Sequence, residues 1–234
     1  MTTSPDTSPR PTRADGNTRR PQLRTHARLF LMGLRPKLRR GFDILVAGAA
    51  LIYLGPLLAA IALLVRITSK GPVLFKQERI GQFGRRFYML KFRTMYADAE
   101  RLKAILEKQS TQALSGVRFK LKRDPRITPL GRVIRKLSID ELPQLWNVLS
   151  GDMSLIGPRP AIQREVSLYD DQALRRLEVP QGLTCWWQVK GRSDLSFEQQ
   201  VELDIEYVDH AKSADDVRIL LKTIPAVISG KGAY

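Results

Sequence analysis

The chain has 234 residues, of which 43% are hydrophobic, and carries a formal net charge of +16. This length allows one ordinary domain with additional segments, and the charge predicts attraction to polyanions such as nucleic acid, anionic lipid or phosphorylated substrates. The single cysteine, Cys185, excludes an internal disulfide framework. The two histidines, His26 and His210, disfavour a Ser-His-Asp triad and a histidine-rich metal site, so a bound metal would be a hard cation held by oxygens.

The N-terminal segment is rich in Ser, Thr, Pro and Arg and has few large apolar residues. Such a composition buries too little surface to offset the entropy of ordering the chain. Residues 1–38 are therefore predicted to form a disordered basic tail. We find no signal-peptide pattern in this segment.

The stretch from Ile44 to Val65 contains no charged residue and is about as long as a bilayer-crossing helix, roughly 20 residues. It lacks the polar stripe of a helix packed in a soluble core, so we expect membrane insertion. Gly55 and Pro56 stand near its middle, where proline predicts a kink or a break. Basic flanks place both ends on the cytoplasmic side, which favours a re-entrant hairpin over residues 39–71. A straight span with a tolerated proline is the open alternative.

One acidic residue, Asp43, stands at the predicted membrane edge. An acid is costly there unless it is paired or lies at the interface, and Arg39 and Arg40 are close by in the sequence. We interpret Asp43 as an ion-paired anchor, with a functional role as the weaker alternative.

Residues 72–234 are predicted to form a separate domain facing the cytoplasm. The segments PVLFKQERIG and RRFYMLKFRTM, around the turn GQFG, predict a β-hairpin. A helix is expected in DAERLKAILEKQ, and residues 112–129 are interpreted as a loop. The segment VPQGLTCWWQVKGR is interpreted as a loop that leads into a short extended piece, with Cys185 as a packed small residue.

Two further helices are predicted near the C-terminus. SFEQQVELDIEYV begins with a capping box formed by Ser196 and Gln199. The apolar face of DDVRILLKTIPAVIS suits either a membrane interface or packing against the core. The fold expected for the whole chain is therefore α+β and mostly helical, with a re-entrant membrane helix-break-helix, amphipathic interfacial helices and a short β-hairpin.

Two adjacent acids, Asp140 and Glu141, stand in SIDELPQLWNVLSGDMSLIGPRP. Apolar residues at helical spacing predict a helix that begins near Asp140 and ends at Gly151 as its C-cap. One interpretation is structural: a capping box between Ser138 and Glu141, into which Pro143 fits poorly. The other is functional: a phosphate site at the helix N-terminus, where basic neighbours keep Asp140 ionised as a nucleophile toward phosphorus. Residue types alone leave both open.

The order of motifs resembles the bacterial sugar transferase family, the monotopic phosphoglycosyl transferases. It combines a basic flank and a proline-containing membrane segment with KFRTM, KLSIDELPQLWNVLSGDMSLIGPRP, PQGLTCWWQVKGR and ELDIEYV. The resemblance runs from about Arg39 to the C-terminus and fits the small exopolysaccharide-initiating form. It implies ping-pong transfer of sugar-1-phosphate from a UDP-sugar to undecaprenyl phosphate, releasing UMP and starting exopolysaccharide, O-antigen or capsule assembly. It also implies Mg²⁺ as cofactor and a place at the cytoplasmic face of the bacterial inner membrane.

By motif position, the resemblance implies Asp140 as the nucleophile and Glu141 as its partner in Mg²⁺ binding or in acceptor deprotonation. It implies a membrane break at Gly55 and Pro56. Phosphate or substrate contacts are expected from Arg135, Arg159, Lys91, Arg93, Gln188, Gly191, Arg192 and Asp204.

Some of these residues have structural alternatives. Lys91 and Arg93 also fit a solvated strand face. Asp204 lies on the apolar stripe of its helix, so it needs a partner such as Arg192 or a metal, and a structural role is weighed equally with a substrate role.

The partners expected from the resemblance are a UDP-sugar, undecaprenyl phosphate and anionic membrane lipids, without nucleic acid. The sequence leaves open a homodimer and the identity of the sugar. A rival hypothesis is a non-catalytic membrane-anchored protein that binds nucleic acid or lipid through its basic surface. A further rival is an ordinary glycosyltransferase, which would release UDP.

Overall fold

A computed structural model of the protein describes residues 20–96, 124–210 and 213–230, together with helical positions 99 and 102. Side chains are described from Pro36 onward. The chain divides into two compact units, Met1–Arg40 and Gly41–Tyr234. Apart from helical positions 99 and 102, the segment DAERLKAILEKQ, where a helix is predicted, lies outside the described residues, as does most of the loop predicted at residues 112–129.

Helix α1 runs from Arg20 to Thr68. Residues 20–38, which the sequence predicts as part of a disordered tail, are therefore helical. The apolar run LFLMGL within this stretch departs from the polar composition on which that prediction rests. Residues 1–19 lie outside the described part of the chain.

The stretch Pro36–Thr68 of α1 is long and apolar enough to cross a membrane, by length and composition. Helical structure continues through Gly55 and Pro56, where the sequence predicts a break. A single proline removes one N–H from the ladder of hydrogen bonds, and the neighbouring turns can keep theirs. The re-entrant topology itself stays a prediction.

The protein is mostly helical with a small β-hairpin, as the sequence predicts. Short 3₁₀ turns occupy Ile139–Glu141, Arg175–Leu177 and Arg192–Asp194. After α1, the described helices and strands are β1 (Leu74–Ile80), β2 (Arg86–Phe92), α2 (Pro129–Lys136), α3 (Gln144–Ser150), β3 (Ser154–Ile156), α4 (Gln163–Val166), α5 (Asp171–Leu174), β4 (Gly182–Thr184), α6 (Trp186–Lys190), α7 (Phe197–His210) and α8 (Ser213–Ser229).

Strands β1 and β2 form the predicted antiparallel hairpin, with Leu74 opposite Phe92. The outer edge of β2 is covered by a side chain of α3. The Asn147 amide accepts a hydrogen bond from Leu90 N (3.0 Å) and donates one to Tyr88 O (2.8 Å). These two bonds satisfy an exposed strand edge and fix α3 against β2.

Strands β3 and β4 form a parallel pair whose ends approach closely. Gly157 N donates to Thr184 O and Gly182 N donates to Pro158 O, both at 2.9 Å. A Cβ atom on Gly182 would lie 2.1 Å from Gly157 N, so only glycine fits there. This contact fixes the start of the GPRP segment.

Two core clusters pack against different parts of α1. One contains Ala47 of α1 together with Met89 of β2, Leu155 of β3 and Ile219 of α8. The other contains Ile61 and Val65 of α1, with Phe92 of β2 and Ile134 of α2. Large apolar side chains elsewhere on α1 stay exposed: Ile44, Leu45, Ile52, Tyr53, Leu63 and Ile67. Within residues 41–68, one side of α1 thus packs on the rest of the chain, and the other side exposes large apolar side chains.

For helix α8, the alternative of packing against the core is confirmed, and the membrane-interface alternative stays a prediction. Ile219 is fully buried in the core, and Leu220 packs against the same cluster. A separate stripe of the helix stays exposed: Val217, Leu221, Ile224 and Ile228.

The capping box of α7 is confirmed, because Gln199 N donates to Ser196 Oγ (3.3 Å) and Ser196 N donates to Gln199 Oε1 (2.9 Å). The extended piece predicted after β4 is wrong, since this segment forms helix α6. Helical spacing brings the Lys190 ammonium 5.1 Å from the ring centroid of Trp186, a favourable cation–π contact.

Candidate active site

The two acids lie in an irregular turn rather than at a helix cap. Ser138 has a left-handed backbone (φ 54°) and its side chain makes no capping bond. Helix α3 begins only at Gln144, directly after Pro143, because proline has no N–H to extend the helical ladder backward. The predicted capping box and the predicted helix start near Asp140 are therefore wrong. The predicted C-cap at Gly151 is confirmed (φ 92°).

The backbone through the acids makes bonds of 3₁₀ type. Glu141 N donates to Ser138 O and Leu142 N donates to Ile139 O, both at 3.2 Å. With three residues per turn, successive side chains point about 120° apart. Asp140 and Glu141 therefore face different surroundings although they are neighbours in the chain.

Glu141 is held by two cations. Its Oε1 atom accepts from Lys91 Nζ and from Arg159 Nη2, both at 2.7 Å. Burial alone would raise the pKa of this carboxyl, but Arg159 and Lys91 hold it well below its usual range. Glu141 is therefore a fixed anion that organises two basic side chains, and it is a weak base.

Asp140 has the opposite environment. It is 6% exposed, and its carboxyl forms no hydrogen bond or ion pair with any residue that the structure describes. Burial and the neighbouring Glu141 raise the pKa of Asp140 to about 6, against the opposing effect of Lys91 and Arg135. The sequence predicts that basic neighbours keep this acid ionised by lowering its pKa; burial and Glu141 outweigh those neighbours, so the expected direction of the shift is wrong, although the carboxyl is still mostly ionised above pH 6.

Two more cations lie within electrostatic range of the acids. Arg135, half-buried at the end of α2, acts on Asp140. Arg192 lies close enough to Glu141 and Arg159 to interact with both electrostatically. Neither guanidinium makes a hydrogen bond or an ion pair in the described ranges of the chain. Both are therefore available to an anionic ligand.

The structure adds one residue that the sequence interpretation missed. Gln144 is 1% exposed, and its Nε2 atom has no hydrogen-bond partner among the described residues. It follows Glu141 by three residues and precedes Asn147 by three, and these two neighbours bond to Lys91 and Tyr88 of β2. The sequence feature that could have identified Gln144 is its place as a polar residue inside the largely apolar run LPQLWNVL.

These positions fall inside a match to a known family. The model of the family described as bacterial sugar transferase covers residues 34–230. The chain belongs to the bacterial sugar transferase family. All residues of the site described above lie within the matched region.

Relatives of this bacterial sugar transferase include short and long chains. It is 42% identical to the exopolysaccharide production protein ExoY of Sinorhizobium fredii, over 84% of this chain and 88% of that protein. It is also 42% identical to the undecaprenyl-phosphate galactose phosphotransferase of Salmonella typhimurium, over 84% of this chain but 42% of that protein. It is 39% identical to the undecaprenyl-phosphate glucose phosphotransferase of Komagataeibacter xylinus, over 84% of this chain but 37% of that protein.

Arg93 lies away from the acids of this bacterial sugar transferase. Its guanidinium donates to Ser69 O (2.6 Å), Val65 O (3.3 Å) and Pro72 O, which are carbonyls at and just beyond the end of α1. The expected phosphate contact is therefore not supported for Arg93. Neither Lys91 nor Arg93 lies on a solvated strand face, so that alternative is wrong for both.

Asp204 is also outside the site. It is fully buried and pairs with Arg176, whose Nε and Nη2 atoms lie 2.9 Å and 2.7 Å from Oδ2. Arg176 also donates to Tyr169 Oη (2.9 Å). The prediction that Arg192 is the partner of Asp204 is therefore wrong. The Arg176–Asp204 ion pair joins the 3₁₀ turn after α5 to α7, which supports a structural role for Asp204.

The segment CWWQVKGR contains three residues to be compared with the predictions: Cys185, Gln188 and Arg192. Cys185 is fully buried and burial raises the pKa of its thiol well above the usual range, which confirms it as a packed residue. Its Sγ atom donates to Gln188 Oε1 (3.2 Å), so that amide oxygen already has one partner. Within this segment, Arg192 lies close enough to Glu141 to interact with it electrostatically, and Gly191 precedes Arg192 at the start of the 3₁₀ turn.

The carboxyl groups fit a magnesium ion only in part. No cluster of three or more metal-binding side chains occurs in the part of the chain that the structure describes. Mg²⁺ commonly binds one or two carboxylates together with substrate phosphates. Asp140 fits such a ligand, whereas Glu141 would first have to release Lys91 and Arg159.

Proposed function

We propose that the chain transfers sugar-1-phosphate from a UDP-sugar to undecaprenyl phosphate and releases UMP. The product is undecaprenyl-diphosphate-sugar, the first membrane intermediate of an exopolysaccharide, O-antigen or capsule. Family membership and the names of the relatives support this reaction class. The observation that favours it most is the contrast between the acids: Glu141 is neutralised by two cations, whereas Asp140 is buried without a partner among the described residues.

In the first half-reaction, a carboxylate oxygen of Asp140 attacks the phosphorus that bears the sugar. A bond forms between this oxygen and phosphorus, the bond from phosphorus to the UMP oxygen breaks, and UMP leaves with the electron pair. No proton has to move in this step. Asp140 then carries the sugar-phosphate as a mixed anhydride.

In the second half-reaction, a phosphate oxygen of undecaprenyl phosphate attacks the same phosphorus and the Asp140 carboxylate leaves. The acceptor is already an anion, so it needs no strong base. The low pKa of Glu141 argues against a role in deprotonation. Its proposed role is to hold Lys91 and Arg159 beside the reacting phosphate, where their charge stabilises the transition state.

We propose Asp140 together with the donor's phosphate oxygens as the place for Mg²⁺. The ion would supply positive charge to the diphosphate. Arg135 and Arg192 are the residues of this chain proposed to bind the remaining phosphate charge, because their guanidinium groups have no other ligand in the described segments.

We place the site at the cytoplasmic face of the bacterial inner membrane. Both ends of the apolar part of α1 contact the same domain: Asp43 Oδ1 accepts from Leu155 N (3.0 Å), and Arg93 Nη2 donates to Ser69 O (2.6 Å). If residues 72–230 lie outside the hydrocarbon layer, which is about 30 Å thick, they can hold both ends of the apolar segment only when both ends lie on one face, and we propose this re-entrant arrangement. The exposed stripe of α8 suits contact with the same surface.

The test uses purified protein in lipid nanodiscs with undecaprenyl phosphate, Mg²⁺ and a panel of UDP-sugars. At least one donor should give UMP, and Asp140→Asn should reduce its release to below about 1% because the nucleophile is lost. The control is Asp171→Asn, an exposed acid in the first turn of α5, which should leave UMP release unchanged.

The same assay separates the rival functions. Release of UDP in place of UMP would indicate an ordinary glycosyltransferase, and no nucleotide product with any donor would favour a binding protein. The covalent step has its own test, because labelled UMP should exchange into the UDP-sugar when undecaprenyl phosphate is left out. Exchange that requires the acceptor would contradict the ping-pong order.

A further inference from the structure

Each end of the apolar part of α1 is fastened to the domain by a buried polar group. Asp43 is 4% exposed, and its Oδ1 atom accepts from Leu155 N at 3.0 Å. Arg93 is 9% exposed and donates to carbonyl oxygens at and just beyond the end of the helix, and its Nη2 atom also donates to Ser69 Oγ (2.8 Å). Buried charges of this kind are costly unless their partners stay in place, so these contacts fix the position of the helix.

The contacts with Asp43 and Arg93 lie close in the chain to the two cations that bind Glu141, which are Lys91 in β2 and Arg159 after β3. Arg93 follows Lys91 by two residues along the extended chain at the end of β2. Leu155 lies in β3, four residues before Arg159. The path from Leu155 to Arg159 is stiff, because Gly157 and Pro158 are bonded to the chain around β4.

We propose that Asp43 and Arg93 are positioning residues that link the seating of α1 to the assembly of the catalytic acids. Asp43 sets the position of Arg159 through β3, and Arg93 sets the position of Lys91 through β2. When α1 is unseated at either end, one of the two cations moves away from Glu141. The site is then complete only while the helix is docked, which restricts transfer to protein that is correctly placed in its membrane. This inference rests on the proposed function for its kinetic consequence alone.

The kinetic test uses the full chain in nanodiscs and the UMP exchange reaction without acceptor. Asp43→Ala and Arg93→Gln should each lower the exchange kcat about tenfold or more, with a KM for the UDP-sugar within about threefold, since small displacements of catalytic groups are costly to the rate. Asp43→Asn keeps an acceptor oxygen and should recover most of the rate. Arg86→Gln, which removes an exposed ion pair with Glu78 on the same hairpin, is the control and should not change it.

A second measurement does not depend on activity. Hydrogen–deuterium exchange of residues 138–146 should become faster in both variants, although neither Asp43 nor Arg93 is bonded to that segment in the described structure. The same peptide should be unchanged in Arg86→Gln. Unchanged exchange in variants that insert and melt like the parent chain would overturn the link, whereas a parent chain without UMP release would overturn only the proposed reaction.

Discussion

At the scale of single residues, the central feature is that two neighbouring carboxyls have different chemical properties. Asp140 and Glu141 differ because a 3₁₀ turn points them in different directions, one into a buried space and one toward Lys91 and Arg159. A pair of acids whose pKa values are pushed apart by their surroundings is the usual way in which one site assigns separate roles to them.

The raised pKa of Asp140 gives a pH prediction. As the proposed nucleophile, Asp140 must be ionised, so the rate should increase as pH rises through about 6 and level off above it. The measurement is single-turnover release of UMP from the UDP-sugar without acceptor, because undecaprenyl phosphate and free UMP are phosphate monoesters that titrate in the same range. Arg159→Gln removes a cation that lowers this pKa, so its acid limb should lie at higher pH. A limb near pH 4 in the parent chain would show that Asp140 is not the titrating nucleophile.

The sequence identified the residues of the site better than it identified their partners. Asp140, Glu141, Lys91 and Arg159 come together as the motifs suggest, because each motif has a residue type that phosphate chemistry requires. The interpretation of Arg93 was wrong, since its partners are backbone carbonyls 21 to 28 residues away that no motif encodes.

At the scale of secondary structure, local patterns predicted those elements whose signals are themselves local. The β1–β2 hairpin, the capping box of α7 and the C-cap at Gly151 all depend on residues within a few positions of each other. The helix start near Asp140 was misplaced because Pro143 splits the segment into a 3₁₀ turn and a helix. Helix α6 was missed because aromatic residues also favour extended structure.

The close approach of β3 and β4 gives a prediction about a single methyl group. Gly182→Ala places a Cβ atom 2.1 Å from Gly157 N, so the strands must separate and the segment that carries Arg159 must shift. We expect a loss of about 1–3 kcal/mol in the free energy of unfolding and a lower rate of UMP release. Thermal unfolding and the UMP assay check both effects.

The matched control for this change is Gly48→Ala in α1. No heavy atom lies within 4 Å of the added Cβ, and alanine favours the helix. This variant should keep the parent Tm and activity. Equal behaviour of the two variants would mean that β3 and β4 are not in the close contact described.

At the scale of the whole molecule, α1 is the element proposed to join the membrane to the candidate site. Its apolar residues on one side are exposed, and those on the other side pack into the two core clusters. Composition predicted insertion into the membrane, but it could not predict that both ends of the apolar segment bind the same domain. That information lies in contacts of Asp43 and Arg93 with distant strands.

These contacts give a prediction about topology. Gly41→Cys and Lys70→Cys place exposed thiols on either side of the apolar segment, and both should react with a membrane-impermeant maleimide only when the reagent reaches the cytoplasmic side. The native Cys185 is fully buried and burial raises its thiol pKa, so it should give little background. The unchanged chain is the control for that background. A straight span would instead expose one of the two cysteines from the outside, and the domain could not then hold both ends of the helix.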